Sequence, residues 1–194
     1  MPLTKDLTKF TTASPAIATF SYVDLINGLG YETFYSTVSE DNAATSYLLV
    51  PITDRSAEKT VPSTGAGTEY NFDSSVFNEP RTVKGTAYLS VETHIAAGTL
   101  TLAVILYKVT AASAEVALSS TITETGDNAT NTINFITLPL TETLIQSGEK
   151  LRLSITATSS GGTDGIVGTD PAGRASGSLT DCTNKLSVPF KIDR

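Results

Sequence analysis

The chain has 194 residues, 40% hydrophobic and 17% charged, with a formal net charge of -7, long enough to bury a core without disulfides or metals. Lys and Arg are scattered singly along it, and with no basic patch to neutralise phosphates, nucleic acid and an anionic membrane surface are excluded as partners. The longest apolar stretch, residues 100–107, is too short to span a bilayer.

Ser and Thr make up roughly a quarter of the chain, where charged residues more commonly stand. Thr suits the wet face of a strand, because its β-branch favours extended backbone while its hydroxyl stays solvated. A surface made neutral in this way suits packing against other protein. The N-terminus shows no apolar core of a secretory signal, so the expectation is synthesis in a cytosol, with Asn128-Ala129-Thr130 not a glycosylation site. The single cysteine, Cys182, excludes an internal disulfide.

Residues 1–16 are polar, Thr-rich and without periodicity, and are read as an N-terminal arm, frayed or ordered on a neighbouring subunit. Residues 17–194 are read as one β-sandwich domain. Phe20, Tyr22 and Asp24 alternate with Ser21, Val23 and Leu25, and the spacing predicts a hairpin turning at Asn27, Gly28 and Gly30 before a strand over 33–38. Strands follow at 46–52 and at 69–77, the latter with Tyr70, Phe72 and Val76 on one face.

Residues 81–95 place Val83, Gly85, Ala87, Leu89 and Val91 on one face. Residues 99–109 are apolar on both faces, Leu100, Leu102, Val104 and Leu106 against Ala103, Ile105, Tyr107 and Val109. That predicts a central strand covered by a loop or by another subunit. Val116, Leu118 and Ile122 mark a further segment, and residues 131–140 another. Residues 140–148, LTETLIQSG, form the one helical candidate, ending at Gly148. Leu151, Leu153, Ile155 and Ala157 then point inward, residues 161–178 read as a long loop, and Leu186, Val188, Phe190 and Ile192 share a face, with Pro189 marking an edge strand. The sum is an all-β, antiparallel jelly-roll-like sandwich of about 8–10 strands.

Chemistry is sparse. One histidine, His94, builds neither a metal site nor a triad, and an exposed or hydrogen-bonding role is expected of it. Cys182 lacks the electropositive surroundings that activate a thiolate. Asp164 and Asp170 sit among glycines, but the spaced oxygen ligands of a calcium loop are missing. The glycines of residues 63–70 lack the following helix that a phosphate cradle requires. The reading names no catalytic, metal or cofactor residue and no cofactor, and expects no enzyme. Tyr22, Tyr31, Phe34, Tyr35, Tyr70 and Tyr88 are the aromatics available for stacking on a sugar.

The stretch YVDLINGLGYETFY, residues 22–35, resembles the N-terminal segment of small β-sandwich virion proteins of tailed bacteriophages. The blocks FNEPRTVKGTAYLSVET and SGEKLRLSITATS resemble in rhythm the accessory jelly-roll domain of X-Pro dipeptidyl-peptidase-like hydrolases, whose triad lies in a separate domain. The first resemblance implies a capsid decoration or minor capsid protein on the virion surface. Its partners would be the major capsid protein and further copies of itself, as a homotrimer. The alternative is a carbohydrate-binding or host-adhesion module that uses tyrosines and loop aspartates.

Overall fold

The structure is a computed structural model that describes residues 29–41, 44–54, 56–127, 131–161 and 164–192. The N-terminal arm and the turn expected at Asn27 and Gly28 lie outside the described residues. The strands are β1 (Leu29–Asp41), β2 (Ala44–Val50), β3 (Thr60–Pro62), β4 (Thr68–Ser74), β5 (Arg81–Ile95), β6 (Thr99–Val109), β7 (Glu115–Ala117), β8 (Ile122–Asp127), β9 (Thr132–Ile145), β10 (Lys150–Ser159), β11 (Gly165–Gly168) and β12 (Asn184–Lys191). The described residues are all-β, as the alternation of the sequence predicts. The three short strands β3, β7 and β11 bring the number among the described residues to twelve.

The strands form two layers. One runs β9-β5-β12-β1-β2, and the other runs β4-β10-β6 with β7 and β8 beyond β6. The layers are sewn together by a short parallel pairing of β2 with β4, Leu48↔Asp73 and Leu49↔Ser74, so the sheet is mixed where a purely antiparallel one was expected. Past the end of β12, β11 takes its place beside β5, and β3 pairs with β11.

Alternation decides which residues go inside. Val83, Ala87, Leu89 and Val91 of β5 meet Leu102, Val104 and Leu106 of β6 and Leu151, Leu153 and Ile155 of β10 in one core. Each such side chain withdrawn from water contributes on the order of 1.5–3 kcal/mol. Val76 and Ile192, expected to join it, lie outside and exposed, because β4 ends at Ser74 and β12 at Lys191. Strand β6 is buried on one face, with Val109 the one buried residue among those expected on the other. Ala103, Ile105 and Tyr107 are half-exposed, so this strand is not the two-sided central strand that its composition predicts.

Three further expectations change. Gly30 does not turn the chain; it lies within β1, opposite Phe190. The helix expected over 140–148 is instead the second half of β9 followed by a turn ending at Gly148. Pro189 does not mark an edge: β12 runs between β1 and β5. Its pairing with β5 lapses between Ser187 and Phe190, while pairing with β1 continues through Tyr31↔Pro189. The residue without an N–H therefore sits where the β5 side asks for none.

That lapse is a bulge in β5 around Lys84 and Gly85, where the pairing with β9 also shifts register. Gly85 has φ 111°, a region that L side chains avoid, and a Cβ there would stand 3.3 Å from Leu29 Cδ1 and 3.5 Å from Pro189 Cγ. Gly85→Ala should cost about 1–2 kcal/mol, read as a lower urea midpoint with an unchanged m-value.

Candidate binding face

The outward faces of the two layers differ in chemistry. On the β4-β10-β6 layer, Arg152 holds Asp73 through two hydrogen bonds (Nε to Oδ1, 2.6 Å; Nη2 to Oδ2, 2.8 Å) and reaches Glu115 at 2.5 Å. Lys150 donates to the same aspartate, and Ser154 donates to Glu69 at 2.8 Å. Burial pushes the Asp73 carboxyl up, but Arg152 and Lys150 outweigh it and hold it below its ordinary value. The Arg152 guanidinium is correspondingly locked in its charged form by Asp73 first and Glu115 second. This face is a closed network of ion pairs, and docking a partner on it would require stripping water from all of them.

The outward face of the other layer carries few charges: Lys185 is exposed on it, between Tyr35 and Ser90, and Glu92 is buried at one end. The register puts Tyr31 beside Pro189, Ser187 beside Tyr88, Tyr88 beside Thr137 and Ser90 beside Phe135. Three aromatic rings thus run across the strands. Tyr31 and Tyr88 lie 6.0 Å apart between centroids, and Tyr88 stacks on Phe135 at 5.7 Å with 21° between planes. The Tyr31 hydroxyl donates to the Thr86 carbonyl at 3.3 Å, which fixes one end of the row. At the other end Phe135 is 63% exposed, and Ile133 beside it 72%. Apart from Lys185 and Glu92, the charges of this face gather toward one end as pairs, Lys84 with Glu142 at 3.0 Å and Arg81 with Glu32.

A folded loop, residues 169–183, closes the opposite end of the face. It is pinned by two buried carboxylates. Glu92, on the outer side of β5, accepts from Asp181 N (2.6 Å), Thr180 Oγ1 (3.0 Å) and Thr180 N (3.4 Å). Asp170 is fully buried and accepts from Arg174 Nε (2.5 Å), Ser56 N (3.2 Å) and Ala172 N (3.2 Å). Burial raises the Asp170 pKa, but the Arg174 guanidinium and the two backbone donors more than reverse it. A cleft of about 400 Å³ lies elsewhere, where the Arg81 guanidinium lies over the rings of Phe77 and Phe190 (5.9 and 4.9 Å to their centroids), with Glu32 and Phe34 also lining it.

The residues singled out from sequence are dispersed. Asp170 belongs to a structural anchor and not to a flexible loop, and β11 occupies part of the segment read as unstructured. Asp164 is exposed. No cluster of three potential metal ligands occurs among the described residues. His94 is half-buried beside Ile166, with Nδ1 lacking a partner, in place of the exposed or hydrogen-bonded role expected. Cys182 is buried, and desolvation first, then Asp170 and Glu92, push its thiol up to about 11; such a thiol is inert at neutral pH. Phe34 and Tyr70 are core residues, Tyr35 is half-exposed, and Tyr22 lies outside the described residues. Tyr31 and Tyr88 alone of that set join a surface row, and Phe135 completes it. Phe135 was absent from the sequence candidates, although its position on the odd-numbered face of Ile133, Phe135 and Thr137, opposite Ile136 and Leu138, was the available signal.

Three solved structures share this fold. An α-amino acid ester hydrolase matches with a TM-score of 0.60 at 10% identity, over 82% of this chain and 36% of its own. A CocE/NonD family hydrolase from Staphylococcus aureus gives 0.60 at 11% identity, over 84% and 37%. An aminopeptidase from a marine sediment archaeon, a thaumarchaeon, gives 0.55 at 8% identity, over 82% and 37%. The chain therefore spans little more than a third of the hydrolases it matches. No protein-family profile matches the chain, and no curated protein sequence does.

At this identity the matches show a shared fold alone. They also correct one expectation. The sequence, with its lone histidine and no nucleophile motif, argued for no enzyme, yet the solved structures that share the fold are hydrolases. The fold is one that hydrolases contain, and the lack of recognisable motifs does not exclude catalysis.

Proposed function

We propose that this protein is a virion structural module, a capsid decoration or minor capsid protein, that seats the aromatic outer face of its β9-β5-β12-β1 layer on the lattice of the major capsid protein. The observation that carries the reading is the row Tyr31, Tyr88 and Phe135, set among Ser, Thr and Pro with Lys185 the one exposed charge near it, while the opposite face is tied up in ion pairs. Interface cores are depleted of charge and enriched in Tyr and Phe, and a sparsely charged face gives up little hydration on docking. The phage-like stretch at residues 22–35 supplies the kind of assembly.

The protein should sediment with empty capsid shells of the phage whose genome encodes it. Tyr88→Ala should weaken that association about 30-fold, whereas Val116→Lys on the other layer should leave it unchanged. Equal retention of both variants would reject this face. The same ring row supports a second reading, a glycan-binding or host-adhesion module, since sugar rings stack on exposed aromatics. Binding to an array of neutral glycans, lost in Tyr88→Ala while capsid association stays undetectable, would favour it.

A further inference from the structure

We propose that two copies of this chain join edge to edge through β9, in an antiparallel pairing centred on Phe135 that continues the sheet across a two-fold axis. The inference goes beyond the capsid reading and stands without it. Among the described residues β9 pairs with β5 alone. Near its C-terminal half the free side is used, where Thr141 N donates to the Leu118 carbonyl, which leaves residues 132–139 as the open edge.

Natural edge strands are usually guarded by charge or Pro, because their unpaired N–H and C=O groups are a template for another strand. This edge is unguarded over most of its length. No charged residue occurs between Asp127 and Glu142, and Pro139 stands only at the far end of the open part. Ile133 and Phe135 are the most exposed large apolar side chains described in the chain, and they occupy this segment.

The charge balance points to a second copy as the occupant. Two chains of net charge -7 repel over most of their surfaces, and the neutral strip is where they can approach without juxtaposing like charges. The pattern is also self-complementary. Centred on Phe135, the pairing sets Phe135 against its own copy and Ile133 against Thr137, the isologous contact of a two-fold dimer. The aromatic row that now stops at the sheet edge would then run unbroken through both copies. Stacked aromatic pairs across strands are a recurrent source of sheet stability.

Sedimentation of the full chain should show a dimer at high micromolar concentration, and Phe135→Lys and Ile133→Lys should each weaken it about tenfold or more with an unchanged melting profile of the monomer. A second measurement reads the register. Directly opposed residues of an antiparallel pair hold their Cβ atoms about 4.5–5.5 Å apart, close enough that a disulfide needs only a small adjustment. Phe135→Cys treated with a mild oxidant should therefore give a covalent dimer. Val116→Cys, exposed on the other layer, should not, and the buried Cys182 contributes no background. A strict monomer, a trimer, or equal cross-linking of both cysteine variants would overturn the proposal. Tyr88→Ala, a change inside the sheet and away from the β9 edge, should leave the dimer unchanged whatever it does to capsid association, so the two readings are tested separately.

Discussion

Asp170→Ala should cost about 3–5 kcal/mol of folding stability and lower the melting temperature by roughly 10 °C. The carboxylate is fully buried, and it ties Ser56 to the 169–183 loop: it accepts from Ser56 N while Arg174, which it orients, donates to the Ser56 carbonyl at 2.6 Å. Without it the Ser56 and Ala172 amides lose their acceptor, and Arg174 loses its counter-charge. The pH dependence adds a second signature. Asp170 has a folded pKa below its ordinary 3.8, so its contribution is fully present above that value and is lost as pH falls through the folded pKa. The wild type should therefore lose stability in acid below about pH 4, and Asp170→Ala should show a flatter acid limb. Arg174→Ala, which removes the main group opposing burial, should likewise shrink the acid loss, because a carboxyl whose folded pKa is no longer depressed contributes none. A melting series against pH that is parallel for wild type and both variants would show that this pair is not an anchor.

Gly98→Ala should be comparably damaging, about 3 kcal/mol, although it adds a single methyl group. Gly98 turns the chain between β5 and β6 at φ 90°, and a Cβ there would lie 2.7 Å from the Ser160 carbonyl carbon. The segment it would meet cannot simply retreat. Ser160 N donates to the Thr99 carbonyl at 2.9 Å, and Thr99 N donates to Ser160 Oγ at 3.2 Å. Gly161 is packed as tightly from the other side, its own Cβ position 2.9 Å from Gly98 Cα. Two glycines facing each other let the end of β10 cross the β5–β6 turn. Gly148→Ala is the useful comparison: its φ of 84° is similar, but nothing lies within 4 Å of its Cβ position. The backbone term alone, about 1–2 kcal/mol, should be lost there, and the difference between the two variants in denaturant midpoint isolates the close approach.

Much of the fold was legible because period-two alternation needs only one buried face. The inner residues of β5, β10 and β12 could be named from spacing, and they are the core. The failures have local causes. In β9 the inward residues are Ile136 and Leu138 up to the β5 bulge and Ile145 beyond it. One residue of slippage moves the buried set from even to odd numbers, so Leu140, Leu144 and Ile145 acquire the spacing of a helix turn. In β6 a weakly polar outer face imitates burial, since Ala, Ile and Tyr occupy a half-exposed surface. The 169–183 loop carried a usable signal in Asp170-Pro171-Ala172-Gly173, the composition of a type I turn, and the turn is there, with Gly173 N donating to the Asp170 carbonyl at 2.9 Å. What alternation could not reveal is that Asp170 would be buried, because that depends on Ser56 arriving from more than a hundred residues away. The binding face was half legible: Tyr31 and Tyr88 stood among the candidates, but their meeting with Phe135 depends on the order of β1, β12, β5 and β9, which no local pattern encodes.

Hydrogen exchange of the protein free and bound to capsid shells tests the central claim most directly. Protection gained over residues 86–90 and 133–139, with residues 68–74 and 150–158 unchanged, is the expected footprint of docking through the aromatic face. Protection confined to the ion-paired layer around Asp73 and Arg152 would contradict it.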